Sequence, residues 1–318
     1  MKPGTPNPEP GTSPSILHYH LLSPLGEWGL GGAYRARDTR FGRTVALRLA
    51  PDTAFADAAE RALFLEDARA AAVLSHPNIA TLFDVGTYDA GCYLAYEFAA
   101  GSTIRQEMAG GAVNSRRALE LSMQLADALA EMHAHNLVHG DLRPETVMVT
   151  HKGSAKVLEA GMMRWTRGGR LRLIAAADFD PLGEAPGLSA YMSPEQRMGQ
   201  PVGSGSDVFS LAVLLYEMVA GRHPFVDESA PPLLSEPAAS PQLAAAVAHA
   251  MEFDPETRHQ SMAAFAADLR KSFAILEARE GRVDRPDVLP VDDEGSGKWW
   301  LAAAGAALLA ALAWWVRR

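Results

Sequence analysis

The pattern of apolar and polar positions changes character along the chain. From about residue 16 to residue 50 it favours β-strands around a glycine-rich turn, with a β run at Thr44–Leu47. Residues 55–74 are rich in Ala, Leu and Glu and predict a helix, whereas residues 79–98 return to strand-forming types. Helical periodicity then predicts helices over residues 116–134, 207–219, 241–251 and 262–278. A β-rich first part followed by a helical second part predicts an α+β fold with two lobes.

The two ends of the chain differ from this middle part. Residues 1–15 are rich in Pro, Gly, Ser and Thr and lack the apolar core of a signal peptide, so they predict a disordered tail. Residues 16–279 are predicted to form the folded domain, with a small lobe over about 16–98 and a large lobe over about 99–279. Residues 280–298 are polar, with Pro and Gly, and predict a flexible linker.

Residues 299–316 carry no charge and predict a transmembrane helix, since about 1.5 Å per residue gives roughly 27 Å. Paired tryptophans bracket this stretch, as aromatic belts do. It has no polar face, which argues against a buried amphipathic helix. Arg317 and Arg318 favour the cytoplasmic side for this end, but the folded domain is also expected to stay in the cytoplasm and to decide the orientation. We therefore predict a single-pass protein of the inner membrane.

Composition excludes some classes of protein. The chain has 318 residues, a net charge of −9 and 48% hydrophobic residues, so it can bury a large core but shows no basic footprint for nucleic acid. The single cysteine, Cys92, cannot form an internal disulfide, and we expect it to be a small buried apolar residue.

The stretch VHGDLRPET at residues 138–146 resembles the catalytic loop of protein kinases, H-R-D-L-x-x-x-N. Asp141 matches the aspartate that accepts the substrate proton. Arg143 stands where Ser/Thr kinases carry Lys, and Thr146 replaces the metal-binding Asn. By this resemblance, the loop keeps the carboxylate that would accept the substrate proton and lacks the amide that would bind a metal.

Other motifs occur in the order that the kinase family has them. They are LGEWGLGGAYRARD at 25–38 (the glycine-rich loop), VALR at 45–48 (V-A-I-K), HPNI at 76–79 (the turn after helix αC), EAG at 159–161 (D-F-G) and SPE at 193–195 (A-P-E). On these motifs the chain resembles the bacterial-type eukaryotic-like Ser/Thr protein kinases over roughly residues 16–278. The resemblance implies a two-lobed kinase fold, with ATP and Mg²⁺ as cofactors and a protein as substrate or partner.

The resemblance also implies site residues. Asp141 and Arg143 would be catalytic, Thr146 and Glu159 would be metal ligands, and Tyr96 would be the gatekeeper next to a hinge that includes Phe98. The residues that would bind ATP, or hold those that bind it, are Leu25, Gly26, Gly29, Gly31, Ala33, Ala46, Arg48, Asp67, Glu97, Ala99 and Met148.

The cation on the third strand of the kinase small lobe is altered. Arg48 stands where the family has Lys, and Asp67 is predicted to replace its Glu partner on αC. One side chain is longer and the other shorter, so we expect a bidentate Arg48–Asp67 bridge that holds αC inward without nucleotide. An Arg fork does not reproduce the geometry of Lys at a phosphate.

The metal site is altered at both positions. Mg²⁺ requires near-octahedral geometry at about 2.0–2.1 Å, and Glu159 carries one methylene more than the family's Asp. Thr146 offers a hydroxyl in place of an amide oxygen. These changes predict weak or absent metal binding, unless the backbone shifts to bring Glu159 into place.

Two packing features also depart from the family. Trp28 replaces the second glycine of the glycine-rich loop, where it would stack on a nucleotide, fill its site or pack as a turn residue on the small lobe. Ala160 replaces the D-F-G Phe, and Ala71 on αC is also small. The apolar column between the lobes would then be thin and costly unless it is repacked.

Residues that maintain the fold are intact. By resemblance, Glu195 and Arg258 form the family's buried ion pair, which requires both partners. Asp207 is predicted to cap a helix, and in the family this Asp accepts hydrogen bonds from the catalytic-loop backbone.

These features predict a membrane-anchored signalling protein with a kinase fold and a degenerate ATP and Mg²⁺ site, acting as a pseudokinase scaffold or regulator. The alternative is an active, atypical Ser/Thr kinase in which Asp141 is the base, Glu159 the metal ligand and Arg48 the phosphate contact. A different transferase on the same fold is a third possibility.

Overall fold

A computed structural model describes residues 14–165, 190–225 and 239–283. The first part is an antiparallel six-stranded sheet in the order β1-β2-β3-β4-β6-β5. Its strands are β1 (Ser15–Ile16), β2 (Tyr19–Glu27), β3 (Gly32–Asp38), β4 (Arg43–Pro51), β5 (Leu82–Tyr88) and β6 (Gly91–Glu97). The glycine-rich turn joins β2 to β3, as the sequence predicts.

A single long helix, α1 (Ala58–Ala71), packs on this sheet. Asp57 caps its first turn by accepting a hydrogen bond from the backbone N–H of Glu60, at 2.8 Å. Phe64, Ala68 and Ala71 are its buried residues and lie on one face, which contributes to the apolar core of this lobe. The helix corresponds to the αC of the resemblance.

The second part is mainly helical. Its elements are β7 (Gly101–Thr103), α2 (Ile104–Glu107), α3 (Ser115–Ala134), β8 (Val147–Thr150), β9 (Ala155–Val157), α4 (Pro194–Arg197), α5 (Ser204–Ala220), α6 (Pro241–Ala250) and α7 (Met262–Val283). Helix α5 is buried along most of its length, and it packs against α3 and α6 in the largest apolar core. In the small sheet β7-β8-β9, β7 follows the first part of the chain, whereas β8 and β9 come directly after the catalytic loop.

The predicted two-lobed fold is confirmed, and each of the long predicted helices is present. The sequence missed the small sheet β7-β8-β9, because its strands are only 3, 4 and 3 residues long and leave little periodic signal. The helix cap predicted at Asp207 is wrong: α5 begins at Ser204 with Gly203 as its N-cap, and Asp207 lies inside the first turn. Cys92 is buried, as expected.

The chain divides into two compact units, residues 1–276 and 277–318. Only residues 277–283 of the second unit are described, as the end of α7. Over the described ranges, no helix has the length and apolar character that crossing a bilayer requires. The predicted tail (1–13 of 1–15), most of the linker and the membrane segment at 299–316 lie outside the described residues.

Candidate active site

The backbone of the catalytic loop, residues 138–146, is held in place by hydrogen bonds to Asp207 on α5. One carboxylate oxygen accepts from the backbone N–H of Gly140 at 2.7 Å, and the other accepts from that of His139 at 2.9 Å. The ring of His133 contacts the same carboxylate at 2.8 Å. Because Asp207 is fully buried, these bonds satisfy a charge that would otherwise be costly. The hydrogen-bonding role that the resemblance implies for Asp207 is present.

The loop also fixes its own side chains. His139 is buried, its Nε2 lies 3.0 Å from the carbonyl of Leu158, and its Nδ1 lies 3.2 Å from the backbone N–H of Asp141. Arg143 approaches Asp141 with Nε to Oδ1 at 3.3 Å. Asp141 is 5% exposed. Its carboxylate is held next to the guanidinium of Arg143, in a fixed position of the kind that a catalytic base requires.

A chain of charges extends from Arg143 to the end of α5. Glu145 forms ion pairs with Arg143, at 3.1 Å, and with Arg105, at 2.8 Å. Arg105 also pairs with Glu217, at 2.8 Å. Burial alone would raise the pKa of Glu145, but the guanidinium of Arg105 outweighs it and holds that pKa below its usual value. The phenol of Tyr191 lies 2.6 Å from Arg105, so the network reaches the residues just before α4.

The predicted buried ion pair of the large lobe is present. Arg258 donates two parallel hydrogen bonds to the carboxylate of Glu195, at 2.9 and 2.8 Å. Its remaining donors reach backbone carbonyls, including that of Glu252 at 2.6 Å. Burial raises the pKa of Glu195, but Arg258 and the hydroxyl of Ser206 outweigh it and hold the pKa at about 2. The large lobe thus keeps a fully compensated buried charge.

The cation site of the small lobe is arranged differently from the prediction. Arg48 forms its ion pair with Glu159, and the two side chains are only 12% and 10% exposed. The predicted Arg48–Asp67 bridge is therefore wrong. Both Arg48 and Glu159 are longer than the residues they replace, so the two side chains meet across the cleft and neutralise each other.

Asp67 has other partners. The indole N–H of Trp165 donates to its carboxylate at 2.8 Å, and the guanidinium of Arg164 lies 3.6 Å away. Trp165 belongs to a turn at Met163–Trp165, directly after the EAG motif. The turn that follows the EAG motif is thus docked on α1. Its side chains contact the carboxylate of Asp67, which was predicted to pair with Arg48.

Four rings fill the space between α1, the glycine-rich turn and this docked turn. We refer to Trp28, Phe55, Phe64 and Trp165 as the aromatic cluster. Phe64 lies at its centre, with ring centroids 5.3 Å from both Phe55 and Trp165 and 6.3 Å from Trp28. Trp165 is 2% exposed and packs edge-on against Phe64.

Trp28 is buried rather than exposed in its turn. It is 6% exposed, and its indole N–H donates to the backbone carbonyl of Leu49 at 3.3 Å. Its ring centroid lies 5.3 Å from the guanidinium carbon of Arg48. Gly31 allows the turn to lie this close, since a Cβ there would stand 2.3 Å from the same carbonyl of Leu49. The indole therefore lies against the cation expected to contact phosphates.

The EAG motif is strained and closely packed. Glu159 has a φ of 59°, a left-handed conformation that is uncommon for a side chain of this size. Ala160 is 3% exposed, and a Cβ on Gly161 would lie 2.8 Å from the Cβ of Ala71. The thin column predicted between the lobes is thus repacked: α1 approaches this motif directly, since neither side carries a large residue.

The donor set fits Mg²⁺ poorly. The hydroxyl of Thr146 is used within the loop, at 3.1 Å from the carbonyl of Asp141 and 3.1 Å from the N–H of Arg143. An Asn would offer separate donor and acceptor atoms, whereas Thr has one oxygen for all these contacts. The carboxylate of Glu159 is engaged by Arg48. Among the described residues, no cluster of three or more His, Cys, Asp and Glu is arranged to hold a metal.

The structure places the remaining candidates for ATP contact on the strands of the two sheets and in the segments next to them. Leu25, Gly26, Ala33 and Ala46 lie on β2, β3 and β4, Gly29 and Gly31 lie in the turn, Ala99 follows β6, and Met148 lies on β8. Glu97, at the end of β6, pairs with Lys156 on β9 at 2.6 Å. Tyr96 is buried beside Arg48, and burial raises the pKa of its phenol.

Sequence reasoning missed two residues that organise the site. Trp165 was hidden because the docked turn is irregular, although an aromatic residue so close to the EAG motif is a signal that could have found it. Arg105 was hidden because its partners, Glu145 and Glu217, are 40 and 112 positions away.

With this geometry established, comparisons with known proteins decide the family. The sequence profile of the protein kinase domain matches residues 19–271. The chain belongs to the protein kinase family. The PknI kinase domain of Mycobacterium tuberculosis has the same fold, with a TM-score of 0.65 at 22% identity over 82% of this chain and 99% of that one.

The curated relatives are bacterial kinases. This chain is 32% identical to a probable serine/threonine-protein kinase of Streptomyces coelicolor over 76% of its length, and 30% identical to the serine/threonine-protein kinase PknB of Mycolicibacterium smegmatis over 87%. It spans 38% and 46% of the length of those two relatives. Membership of the family rests on the domain, and the activity of the whole protein is a separate matter.

Proposed function

We propose that this chain is a membrane-anchored, kinase-like signalling protein that acts mainly as a pseudokinase, binding and regulating a protein partner. The observation that carries the proposal is the Arg48–Glu159 ion pair. It removes both charges that a kinase directs at a metal-bound triphosphate, because the cation and the carboxylate neutralise each other.

Two further observations support the same conclusion. Trp28 lies over Arg48, so a triphosphate would have to share or displace the indole. The single oxygen of Thr146 is committed to the catalytic-loop backbone. Removing one well-placed electrostatic group commonly lowers a rate by about 10²–10³, and three such groups are altered here.

The membrane anchor in this proposal rests on the apolar stretch at 299–316 with its flanking tryptophans. The kinase-like domain would lie in the cytoplasm, with the linker at 280–298 between the two. Fractionation of cells into membrane and soluble pools tests this part, and recovery in the soluble pool contradicts it.

An active, atypical Ser/Thr kinase is the second candidate, and the state of the catalytic loop favours it. Asp141 is held by Arg143, and the loop backbone is fixed by Asp207. A carboxylate placed in this way can accept the proton of a substrate hydroxyl. This candidate requires Arg48 to release Glu159.

Thermal shift and phosphate transfer separate the two candidates. The full chain in detergent is heated with ATP, with and without Mg²⁺, and then assayed for transfer of the γ-phosphate to itself and to a generic protein substrate. The proposal expects no metal-dependent shift and no transfer. A metal-dependent shift together with transfer that Asp141→Asn abolishes establishes the active kinase instead.

A further inference from the structure

The turn between β3 and β4 forms an exposed end of the small-lobe sheet, with a large apolar side chain among arginines. Phe41 in this turn is 72% exposed, and Arg40 beside it is exposed as well. The guanidinium of Arg37 also lies at the turn, because a Cβ on Gly42 would stand 3.7 Å from one of its nitrogen atoms. This end of the sheet therefore presents an aromatic ring and cations to solvent together.

Neighbouring residues extend this surface on both sides of the turn. The guanidinium carbon of Arg43 lies 4.9 Å from the ring centroid of Phe41 and 3.8 Å from that of Phe83, which is 38% exposed. Hydrogen bonds from Thr39, at 3.0 and 2.8 Å, join the turn to the connection between β1 and β2, where Leu17 is 57% exposed. We refer to the resulting surface as the basic tip, which consists of Leu17, Arg37, Arg40, Phe41, Arg43 and Phe83.

The charge of the basic tip is opposite to that of the whole chain, which is −9. Asp38, at the end of β3, is 0% exposed and pairs with Arg43 at 3.1 Å, so its carboxylate does not face solvent. Asp84 on β5 is half-buried and accepts hydrogen bonds from two tyrosine phenols, each at 2.9 Å. Arg37 and Arg40 therefore give the tip a positive outward face, which favours an anionic partner.

We propose that the basic tip is a docking surface for the anionic lipids of a membrane. Exposed apolar side chains next to basic ones suit the headgroup boundary, where the apolar group enters the acyl region and guanidinium groups bind phosphates. A second copy of the chain fits this surface less well, because a symmetric contact through it would bring like charges together. The inference rests on the membrane anchor in the proposed function, since an anchor would keep lipid within reach of the domain.

Amide hydrogen exchange in the full chain measures this docking. The chain is reconstituted in nanodiscs of phosphatidylcholine alone and in nanodiscs that also contain phosphatidylglycerol, and exchange is followed in peptides that cover the β3–β4 turn. One basic residue at an anionic surface changes a docking equilibrium by about fivefold. The turn is therefore expected to exchange at least about fivefold more slowly in the anionic discs, and high salt is expected to weaken this protection.

Two variants with matched controls make the test selective. Phe41→Ser removes the apolar group and Arg40→Gln removes one charge, and each is expected to abolish most of the protection because it weakens docking by about fivefold or more. Phe253→Ser and Arg270→Gln are the controls. Phe253 is 68% exposed and the Arg270 side chain is 52% exposed, but both lie in the large lobe. These two variants are expected to show the same protection of the turn as wild type.

Several results overturn the proposal. Equal exchange of the turn in the two kinds of nanodisc contradicts it, as does protection that Arg40→Gln leaves unchanged. Protection that is equal in both lipids and occurs only in discs with two copies would assign the basic tip to a second copy of the chain instead. Failure of the membrane anchor is distinguishable, because the full chain is then recovered outside the discs. The same exchange comparison is in that case made with the full chain and vesicles of the two compositions, and equal exchange there contradicts the docking surface.

Discussion

The large lobe and the cation site of the small lobe both depend on contacts of buried or half-buried carboxylates and guanidinium groups, but these contacts have different roles. In the large lobe, Asp207 and the Glu195–Arg258 pair fix backbone and helices through fully compensated charges. Arg48 of the small lobe instead pairs with Glu159 of the EAG motif, across the space where a metal and phosphates would be held. The difference indicates that the groups maintaining the fold are kept, while those facing a triphosphate have turned to intramolecular contacts.

The largest effect is expected where a compensated charge is broken. Arg258→Ala leaves Glu195 buried without its cation, which should destabilise the chain by about 3–5 kcal/mol. Urea unfolding of the full chain in detergent measures this. Arg270→Ala is the control, since it removes an exposed ion pair with Asp127 that should be worth at most about 1 kcal/mol. Equal losses in the two variants would contradict the role assigned to the buried pair.

A somewhat smaller effect is expected from acid. The pKa of Glu195 is about 2 in the folded chain, below its ordinary value of 4.5, so the folded state binds fewer protons than the unfolded state in this window. The stability contributed by this group is therefore fully present above about pH 4.5 and is lost as the pH falls toward 2. Unfolding free energies at pH 5 and pH 3 should differ less for Glu195→Gln than for wild type; the same pH dependence in both would refute the shift.

The sequence was sufficient to predict the buried charged residues of the large lobe, because they belong to motifs that occur in a fixed order. Glu195, Arg258 and Asp207 could be placed from the motifs alone, although the start of α5 was displaced by a few residues. The small lobe was harder, since the choice of partner for Arg48 depends on side-chain length and on where Trp165 packs. Neither Asp67 nor Glu159 carries a local signal that distinguishes them as partners, and the docked turn has no periodicity.

The smallest expected effect compares the two possible partners of Arg48 directly. A double-mutant cycle with Arg48→Met and Glu159→Gln should give a coupling free energy of about 0.5–3 kcal/mol, because the side chains are in contact. The parallel cycle with Arg48→Met and Asp67→Asn should give coupling no larger than about 0.5 kcal/mol. Reversed magnitudes would assign Arg48 to Asp67 and contradict the ion pair with Glu159.

The central claim, that this kinase fold has lost the geometry for a metal-bound triphosphate, is tested most directly by restoring it. The measurement is the Mg²⁺-dependent affinity for ATP of the full chain and of a variant carrying Arg48→Lys, Glu159→Asp and Thr146→Asn. The account predicts metal-dependent binding in the restored variant and little or none in wild type. Wild-type chain that binds Mg·ATP as tightly as the restored variant would contradict it.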